Sequence, residues 1–309
     1  MIKLRLKNLY GFLLLVAVWS SCADDKEPQY PFSAQISYSL VGKKAAFHAL
    51  VNGSDSYQWD FGDGGTSTER DPVHDYKDGG YYTATLKVQG PESALNRSVD
   101  LAVDLTPHVL LTGGATDEDG KTWRIDSSHP EGDRFADADE ELTKEEVLTS
   151  GVFGTVLGLG EVYDDEFTFY FDGRYKHDVK ADNASFAALV NQLKLNGGAN
   201  IVHMTSTAQG FGLCTAGYTP EANATFAVHE DKDYDVPSIY GPGGILTYPG
   251  VNTLTFSGTE FIAFLDINRE VIIQEINATS MRLVIFVNAD QGEYPKATHA
   301  LVLSFKAVN

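Results

Sequence analysis

The stretch WDFGDGG, residues 59–65, combines two large aromatic side chains, two aspartates and three glycines in seven positions. Around its start, YQWDF at 57–61 alternates large apolar with polar side chains, which is the period of a half-buried β-strand. The GDGG that follows supplies the Asp-Gly and Gly-Gly pairs that give a tight hairpin turn its positive φ angles. The stretch is therefore predicted to be a strand that runs directly into a turn.

The sequence after this turn continues in the same pattern. His74 and Tyr76 follow at alternate positions, a second turn is predicted at 78–80, and residues 82–88, YTATLKV, alternate as a closing strand. In these motifs and in their spacing, residues 33–106 resemble the PKD domain, which is an immunoglobulin-like β-sandwich. The resemblance implies that this domain acts as a spacer.

The same resemblance implies structural roles for five residues of the first domain. Trp59 and Phe61 are implied to be core residues, and Asp63 to belong to the turn. His74 and Tyr76 are implied to lie on a strand that packs beneath them. A metal role for the turn stays open as an alternative, because aspartate-rich turns can collect oxygen ligands for Ca²⁺.

The first residues have the three-part plan of an export signal. Residues 1–21 run from a basic start through a short apolar segment to small residues, and Cys22 follows. The apolar segment is shorter than the roughly 20 residues that span a bilayer. This ending resembles the lipobox of bacterial lipoproteins, which implies that Cys22 is acylated and becomes the mature N-terminus. An ordinary signal peptide with an incidental Cys22 is the alternative.

An acidic segment, residues 22–32, follows and is interpreted as a tether. It resembles the surface-export signal of Bacteroidetes lipoproteins. The resemblance implies a protein of the outer membrane that its lipid anchor holds at the cell surface.

The charge of the chain restricts its partners. The formal net charge is −20, and long-range repulsion disfavours nucleic acid and anionic lipid as partners. Neutral polysaccharide or oligosaccharide remains the expected partner. Cys214 is the one cysteine besides Cys22, so the sequence predicts no disulfide framework, and we interpret Cys214 as a small buried apolar residue.

The remaining residues, 107–309, are predicted to form a larger antiparallel β-sandwich of jelly-roll-like form, so the expected fold class is all-β. Strands are predicted where apolar residues alternate between Gly, Asn and Asp turns. These strands cover residues 162–171, 174–179, 224–229, 253–256, 260–265, 271–276, 281–287 and 300–306. Two short helices are expected, one at 185–194 with Asn183 or Ser185 as its N-cap, and one at 143–148.

Three segments of this second domain resemble a group of Bacteroidetes lipoproteins from polysaccharide-utilisation systems. They are LTGG at 111–114, GKTWRID at 120–126, and YDDEFTF at 163–169 with the Asp-Gly turn at 172–173. In that group a PKD domain precedes a β-rich domain that binds glycan at the cell surface. The resemblance implies glycan binding without catalysis, with an outer-membrane transporter complex as a further partner.

Two other functions stay open at the level of the sequence. One is a protein-interaction or scaffold role in an outer-membrane complex. The other is a glycoside hydrolase or lyase with an unrecognised site, although the sequence contains no Gly-x-Ser-x-Gly, phosphate-loop or His-Glu-x-x-His motif. No cofactor is predicted, except that acidic residues could hold Ca²⁺.

Three tyrosines of residues 233–250 are the candidate glycan-binding residues. Gly and Pro disfavour regular structure in this segment, which is therefore predicted to be a loop that presents Tyr234, Tyr240 and Tyr248. A tyrosine ring offers an apolar face to a pyranose and a hydroxyl to its polar edge. In the alternative, these rings point inward and hold the loop down.

The acidic cluster Asp164, Asp165 and Glu166 is a candidate metal site or catalytic carboxylate pair. On a strand, Asp164 and Glu166 would share one face and lie about 7 Å apart along it. The alternative is a turn at the start of a strand. A second acidic run, residues 133–141, is interpreted as a solvated loop.

The lipobox interpretation leads to a first prediction. The substitution Cys22→Ala removes the sulfur that the acyl group requires, so the variant should remain unlipidated and leave the membrane fraction. Fractionation together with uptake of labelled palmitate measures both effects. Retention of the variant in membranes, with palmitate still incorporated, would show that the lipobox interpretation is wrong.

Overall fold

The computed structural model describes residues 31–54, 56–90, 92–143 and 146–308. The predicted export signal, Cys22 and most of the predicted tether lie outside these residues. Within the described part of the chain, no helix is both long enough and apolar enough to cross a membrane.

The first domain consists of two antiparallel sheets. Its strands are β1 Ser33–Val41, β2 Lys44–Asn52, β3 Ser56–Asp60, β4 Thr66–Ser67, β5 Val73–Asp75, β6 Gly80–Gln89 and β7 Ala94–Val103. One sheet has the order β1-β2-β5 and the other the order β4-β3-β6-β7. The two sheets enclose one hydrophobic core, as in a β-sandwich.

Aromatic side chains form the centre of this first core. Trp59, Phe61 and Tyr76 are all buried. The Trp59 indole nitrogen donates a hydrogen bond to the Glu69 carbonyl at 3.0 Å, and the Tyr76 hydroxyl donates to the Phe61 carbonyl at 3.1 Å. Each buried polar atom of these rings therefore has a partner, as a stable core requires.

The turn after Phe61 is built from backbone and side-chain hydrogen bonds. Gly62 has φ of +83°, and a Cβ there would lie 2.7 Å from the Thr83 carbonyl oxygen, so only glycine fits. Asp63 accepts a hydrogen bond from the Gly65 amide at 2.9 Å and pairs with the His74 Nε2 at 2.7 Å. His74 stacks on Phe61, with 4.2 Å between ring centroids.

The electrostatics of Asp63 agree with a role inside this turn. Burial acts to raise its pKa, but hydrogen bonds from His74 and Gly65 hold the pKa below its ordinary value. Asp60 likewise accepts a hydrogen bond from the Gly62 amide at 2.9 Å. Both aspartates therefore already stabilise the turn through their carboxylate oxygens.

The two domains follow each other closely. β7 ends at Val103, and helix α1, Pro107–Thr112, begins four residues later with Thr106 as its N-cap. Gly80 and Gly114 form a β-bridge between the domains. A Cβ on Gly114 would lie 2.8 Å from the Gly80 Cα, so the bridge depends on glycine. This contact joins the domains directly.

The second domain contains most of the strands of the described chain. They are β8 Lys121–Ile125, β9 Arg134–Asp137, β10 Glu146–Val147, β11 Glu166–Phe169, β12 Tyr175–Asp178, β13 Ala184–Ala188, β14 Ile201–His203, β15 Leu213–Gly217, β16 Phe226–Pro237, β17 Ile245–Phe256, β18 Phe264–Leu265, β19 Val271–Ile276, β20 Ser280–Val287 and β21 His299–Ala307. The further helices are α2 Val152–Thr155, α3 Leu189–Asn196 and α4 Ser206–Gly210, and 3-10 turns lie at Gly160–Tyr163, Lys180–Asp182 and Pro242–Gly244.

These strands form one large and one small sheet. The large sheet has the order β12-β11-β8-β21-β20-β19-β17-β16, and β9 pairs with the first half of β21 and with β10. The small sheet has the order β14-β15-β13-β18, in which β13 and β18 run parallel. The all-β class predicted from the sequence is therefore confirmed, with a β-sandwich in each domain.

Both faces of the large sheet are covered. The main core lies between the two sheets and includes Trp123, Phe167, Phe186 and Phe305. A second core lies on the opposite face, where the outer half of the β16–β17 hairpin packs against β19, β20 and β21. Phe286 is at the centre of this second core.

The structure corrects both helix predictions. Residues 184–188 form strand β13, and α3 begins only at Leu189 after Ala188, so neither Asn183 nor Ser185 is its N-cap. The apolar residues 186–190 are buried in the strand and in the first turn, where the helical spacing of the sequence is misleading. The helix predicted at 143–148 is also wrong, because Glu146 and Val147 form strand β10, which pairs with β9.

Cys214 lies in β15 and is fully buried. Burial raises the pKa of its thiol to about 12. A thiol with such a pKa is unreactive at neutral pH.

The first core leads to a prediction about stability. The substitution Trp59→Ala leaves a cavity among Phe47, Phe61 and the surrounding aliphatic side chains, and should lower the free energy of unfolding of the first domain by about 3 to 5 kcal/mol. Chemical denaturation measures this loss. Val73→Ala, at an exposed position of the same domain, is the control and should change stability by less than about 0.5 kcal/mol. An equally small effect of Trp59→Ala would contradict the core assignment.

Candidate functional site

The segment 233–250 is a β-hairpin and not the predicted loop. Tyr234 on β16 pairs across the strands with Tyr248 on β17, and only 7% and 8% of these residues are exposed. The Tyr234 hydroxyl donates to the Glu270 carbonyl at 3.0 Å, and the Tyr248 hydroxyl donates to the Asp139 carbonyl at 2.6 Å. Both rings pack on Phe286.

The prediction that Tyr234 and Tyr248 are exposed sugar platforms is therefore wrong. Both residues are more than nine-tenths buried, so neither presents its ring as an exposed platform, although Tyr248 contributes to the lining of an open pocket next to Leu142. The physical reason lies in the outer face of the large sheet, which is apolar and which the hairpin covers with its inward-facing residues. Burial also raises the pKa of both hydroxyls above the ordinary value.

Tyr240 differs from its two neighbours. It lies in the turn between β16 and β17 and is 43% exposed. Its backbone amide donates to the Ser238 hydroxyl at 3.1 Å, and that buried hydroxyl donates to the Ala138 carbonyl at 2.6 Å. The turn is thereby fixed to the end of β9, next to Asp137.

An open groove of about 240 Å³ lies at this end of the second domain. Four segments that are distant in sequence contribute its walls: Asp137 from β9, Glu146 from β10, Phe211 after α4, and His299 at the start of β21. Tyr240 is not among the residues that line the groove, but it lies near the lining residue Asp137, whose carboxylate acts on the pKa of the Tyr240 hydroxyl.

The polar residues of the groove contact one another. The His299 Nε2 lies 3.9 Å from an Asp137 carboxylate oxygen, and the His299 Nδ1 forms a 2.9 Å hydrogen bond with the Thr298 hydroxyl. Burial, together with the hydrogen bond to the negatively charged Asp137, raises the pKa of Tyr240. The Tyr240 hydroxyl therefore stays protonated at neutral pH and can donate a hydrogen bond.

Two aromatic rings support the groove wall. Phe211 is 40% exposed and meets Phe135 edge to face, with 6.3 Å between the centroids. The His299 imidazole stacks on the other ring, Phe135, at 4.7 Å. The Phe211 amide donates to the Ala208 carbonyl at 3.1 Å, so that helix α4 fixes the position of this ring. The groove thus combines an exposed apolar ring with fixed polar groups.

The acidic cluster of residues 164–166 does not form a shared site. Asp164 is exposed, whereas Asp165 is buried and accepts a 2.8 Å hydrogen bond from the Ser185 hydroxyl. Glu166 forms ion pairs with Arg124 and with Lys180. Neighbouring residues at the start of β11 point in different directions, as the strand period requires. The prediction that these carboxylates converge on a metal or on a substrate is wrong.

Within the part of the chain that the structure describes, no group of three or more His, Cys, Asp or Glu side chains is arranged to hold a metal ion.

Sequence reasoning missed most of the groove residues. Asp137 lies in the run 133–141, which was interpreted as a solvated loop but contains strand β9. Phe211 and His299 stand alone in the sequence, without a motif around them. Residues 134–138, Arg-Phe-Ala-Asp-Ala, do not alternate between polar and apolar, so the local sequence carries no clear strand signal for β9.

Comparison with known proteins identifies the first domain. Residues 32–103 match the family model of the PKD domain. The first PKD domain of the Vibrio cholerae metalloprotease PrtV is 30% identical, and the match covers 25% of this chain and 100% of that domain with a TM-score of 0.23. Over these residues the chain belongs to the PKD-domain family, and the resemblance stated from the sequence is confirmed there.

Two further solved structures are similar to parts of the chain. The first PKD domain of Vibrio anguillarum Epp is 24% identical, with 25% of this chain and 98% of that domain covered and a TM-score of 0.23. A carbohydrate-binding module of the β-sandwich superfamily is 12% identical, with 91% of this chain and 93% of that chain covered and a TM-score of 0.25. Because these TM-scores are low, neither similarity assigns a function to the second domain.

One buried carboxyl group lies next to the groove. Asp266 accepts hydrogen bonds from the Ile267 and Asn288 amides, both at 2.7 Å, and Asn288 directly precedes the groove residue Ala289. Burial raises the pKa of Asp266 to about 7, against an ordinary value of 3.8, although both hydrogen bonds act to lower it. Its titration should therefore affect the stability of this end of the domain.

We predict a pH effect from this group. The folded protein binds the Asp266 proton more tightly than the unfolded chain, so its contribution to stability is complete below about pH 4 and is lost as the pH rises to about 7. The shift from 3.8 to about 7 corresponds to a loss of at most about 4 kcal/mol. Asp266→Asn should remove this loss. Unfolding free energies of both proteins at pH 4.5 and pH 8 measure the difference.

The test compares how much the unfolding free energy changes between pH 4.5 and pH 8. Its absolute value is less informative, because the asparagine side chain has one acceptor oxygen where aspartate has two, at every pH. Asp172→Asn, at a half-exposed carboxyl group, is the control and should leave the wild-type pH dependence almost intact. Identical pH dependence of wild type and Asp266→Asn would contradict the raised pKa.

Proposed function

We propose that this protein binds a neutral polysaccharide or oligosaccharide in the groove of its second domain, without catalysing a reaction on it. In this proposal, the lipid on Cys22 anchors the chain at the outer membrane. The PKD domain acts as a spacer, and its bridge through Gly80 and Gly114 holds the second domain at a fixed distance beyond it. An outer-membrane transporter complex is the further partner proposed.

One observation carries this proposal. The exposed ring of Phe211 lines a groove whose polar groups are Asp137, Glu146 and His299, and the exposed Tyr240 lies near Asp137 beside it. The apolar C–H face of a sugar ring can stack on such an aromatic ring. Carboxylates and imidazoles can form hydrogen bonds with the hydroxyl groups around the edge of the sugar.

Charge favours a neutral ligand over an anionic one. The groove itself contributes two carboxylates, and the chain as a whole has a net charge of −20. A uronic acid or a sulfated glycan would be repelled by both. Because a neutral glycan forms no ion pairs, its affinity should change little with salt concentration.

The size of the groove favours weak binding of single sugars. Its volume of about 240 Å³ is below the roughly 300 to 1,000 Å³ of sites that enclose a drug-sized ligand. The contact area with one sugar is therefore small. Affinity should rise with oligosaccharide length until the sugar units extend beyond the aromatic rings.

The proposal predicts which side chains contribute affinity. A stacked ring contributes on the order of 1 kcal/mol beyond area burial, which is about fivefold in Kd. Phe211→Ala and Tyr240→Ala should each weaken binding several-fold to tens-fold. Calorimetry against the polysaccharide that binds best in affinity electrophoresis measures this change. Tyr38→Ala is the matched control, because Tyr38 is 42% exposed and lies on the first domain.

Other results would favour the other functions. Full affinity of both groove variants, with folding intact, would place binding elsewhere. Release of reducing ends by the purified protein, abolished by Asp137→Asn or Glu146→Gln, would indicate a hydrolase. If a panel of neutral polysaccharides shows no retardation, a scaffold role in a membrane complex is favoured.

A further inference from the structure

A second cavity lies next to the groove. It shares Phe135, Glu146 and Phe211 with the groove, and it extends from them toward the small sheet. Its further walls are aliphatic and include Val147, Val152, Val156, Leu157 and Leu213. The two spaces thus adjoin each other at three shared residues, and one has a polar lining and the other an apolar lining.

The rim of this apolar cavity is open to solvent. Val147 and Val156 are 67% and 54% exposed, and both line the cavity. Phe211, which lines both spaces, is 40% exposed as well. The mouth of the cavity therefore presents apolar side chains to solvent on the side that it shares with the groove.

The walls of the cavity are held in place from below. The Leu157 amide donates to the Val152 carbonyl at 3.1 Å, and its carbonyl accepts from the Thr205 hydroxyl at 2.6 Å. Phe153 is fully buried beneath them. Since these groups are fixed by hydrogen bonds and by the core, the cavity belongs to the folded state and is not closed by simple collapse of its walls.

The volume of the cavity limits what can enter. It measures about 110 Å³, whereas a cavity that holds benzene has about 150 Å³ and a water molecule takes up about 30 Å³. A substituent of three or four non-hydrogen atoms therefore fits. An aromatic ring or a long alkyl chain does not.

The lining determines the polarity of that substituent. Among the described residues that line the cavity, Glu146 is the one with a charge, and it is shared with the groove. A polar group deep in the cavity would lack a hydrogen-bond partner and would be disfavoured. The substituent must therefore place an apolar end inside, while any carbonyl oxygen remains at the rim near solvent.

We infer that the site recognises a glycan that carries short O-acyl esters, of which acetyl is the smallest. The acyl methyl end lies in the cavity beside Val156 and Leu157, and the sugar ring lies in the groove between Phe211 and Asp137. This inference rests on the proposed function and adds the chemical class of the ligand. The adjoining apolar and polar spaces match the two parts of an acylated sugar.

The test uses partially O-acetylated glucomannan and xylan, each compared with the same preparation after alkaline deacetylation. Burial of one methyl group corresponds to about fourfold in affinity. The acetylated form should therefore bind about fourfold to tenfold more tightly to the wild-type protein. Calorimetry measures both forms under the same conditions.

Two variants with a matched control test the cavity itself. Val156→Phe should fill the rim and Val147→Asp should place a charge on it. Each should reduce the affinity for the acetylated glycan to that for the deacetylated form, and should leave the deacetylated form within about twofold of wild type. Val202→Phe is the control, because Val202 is 57% exposed but lies on β14, outside the cavity lining.

Each outcome leads to a distinct conclusion. Loss of the preference in Val156→Phe and Val147→Asp, with Val202→Phe unchanged, supports the inference. Equal affinity of the wild-type protein for both forms overturns the acyl preference and leaves the proposed glycan binding intact. Binding of neither form of either polysaccharide counts against the proposed function, and the inference is overturned with it.

Discussion

The pairing of β21 on both of its edges is the constraint on which the second domain depends. Along one edge this strand pairs with β20 over its whole length, and along the other it pairs with β9 and then with β8. Its side chains alternate between the two cores, with Leu301, Leu303 and Phe305 on one face and Ala300 and Val302 on the other. A shift of one residue would exchange these faces, so β21 fixes the register of the sheet.

The position of the groove follows from the same strand. His299 is the first residue of β21, and β9 places Asp137 directly opposite it. The hairpin turn that carries Tyr240 is held there by the hydrogen bond of Ser238 to the Ala138 carbonyl, one residue beyond Asp137. Rigid strands thus position the polar side chains Asp137 and His299. The aromatic rings come from the hairpin turn and from Phe211, directly after α4. Binding residues often lie on loops that a rigid scaffold holds in place.

Burial on both faces of the large sheet explains why the tyrosine prediction failed for two residues of three. The sequence 233–236 alternates polar and apolar residues, but the Gly and Pro residues that follow favoured a loop. Tyr234 and Tyr248 cover an apolar sheet face that no local pattern reveals, because its residues come from four other strands. Tyr240 remains exposed, since it lies in the turn, where the chain has left the sheet.

The sequence by itself determined the first domain, the all-β class and several strand positions of the second domain, including Val271–Ile276 at its observed limits, but it missed β8–β10 and β13–β15. These features depend on the local alternation of polar and apolar residues, on turn glycines such as Gly62, and on the motif of residues 59–65. Only the tertiary structure decided which side chains share a site. Asp137, Phe211, Tyr240 and His299 are far apart in the chain, and long-range strand pairing alone brings them to one groove or next to it. Burial and proximity are properties of the packed sheets, which no short stretch of sequence encodes.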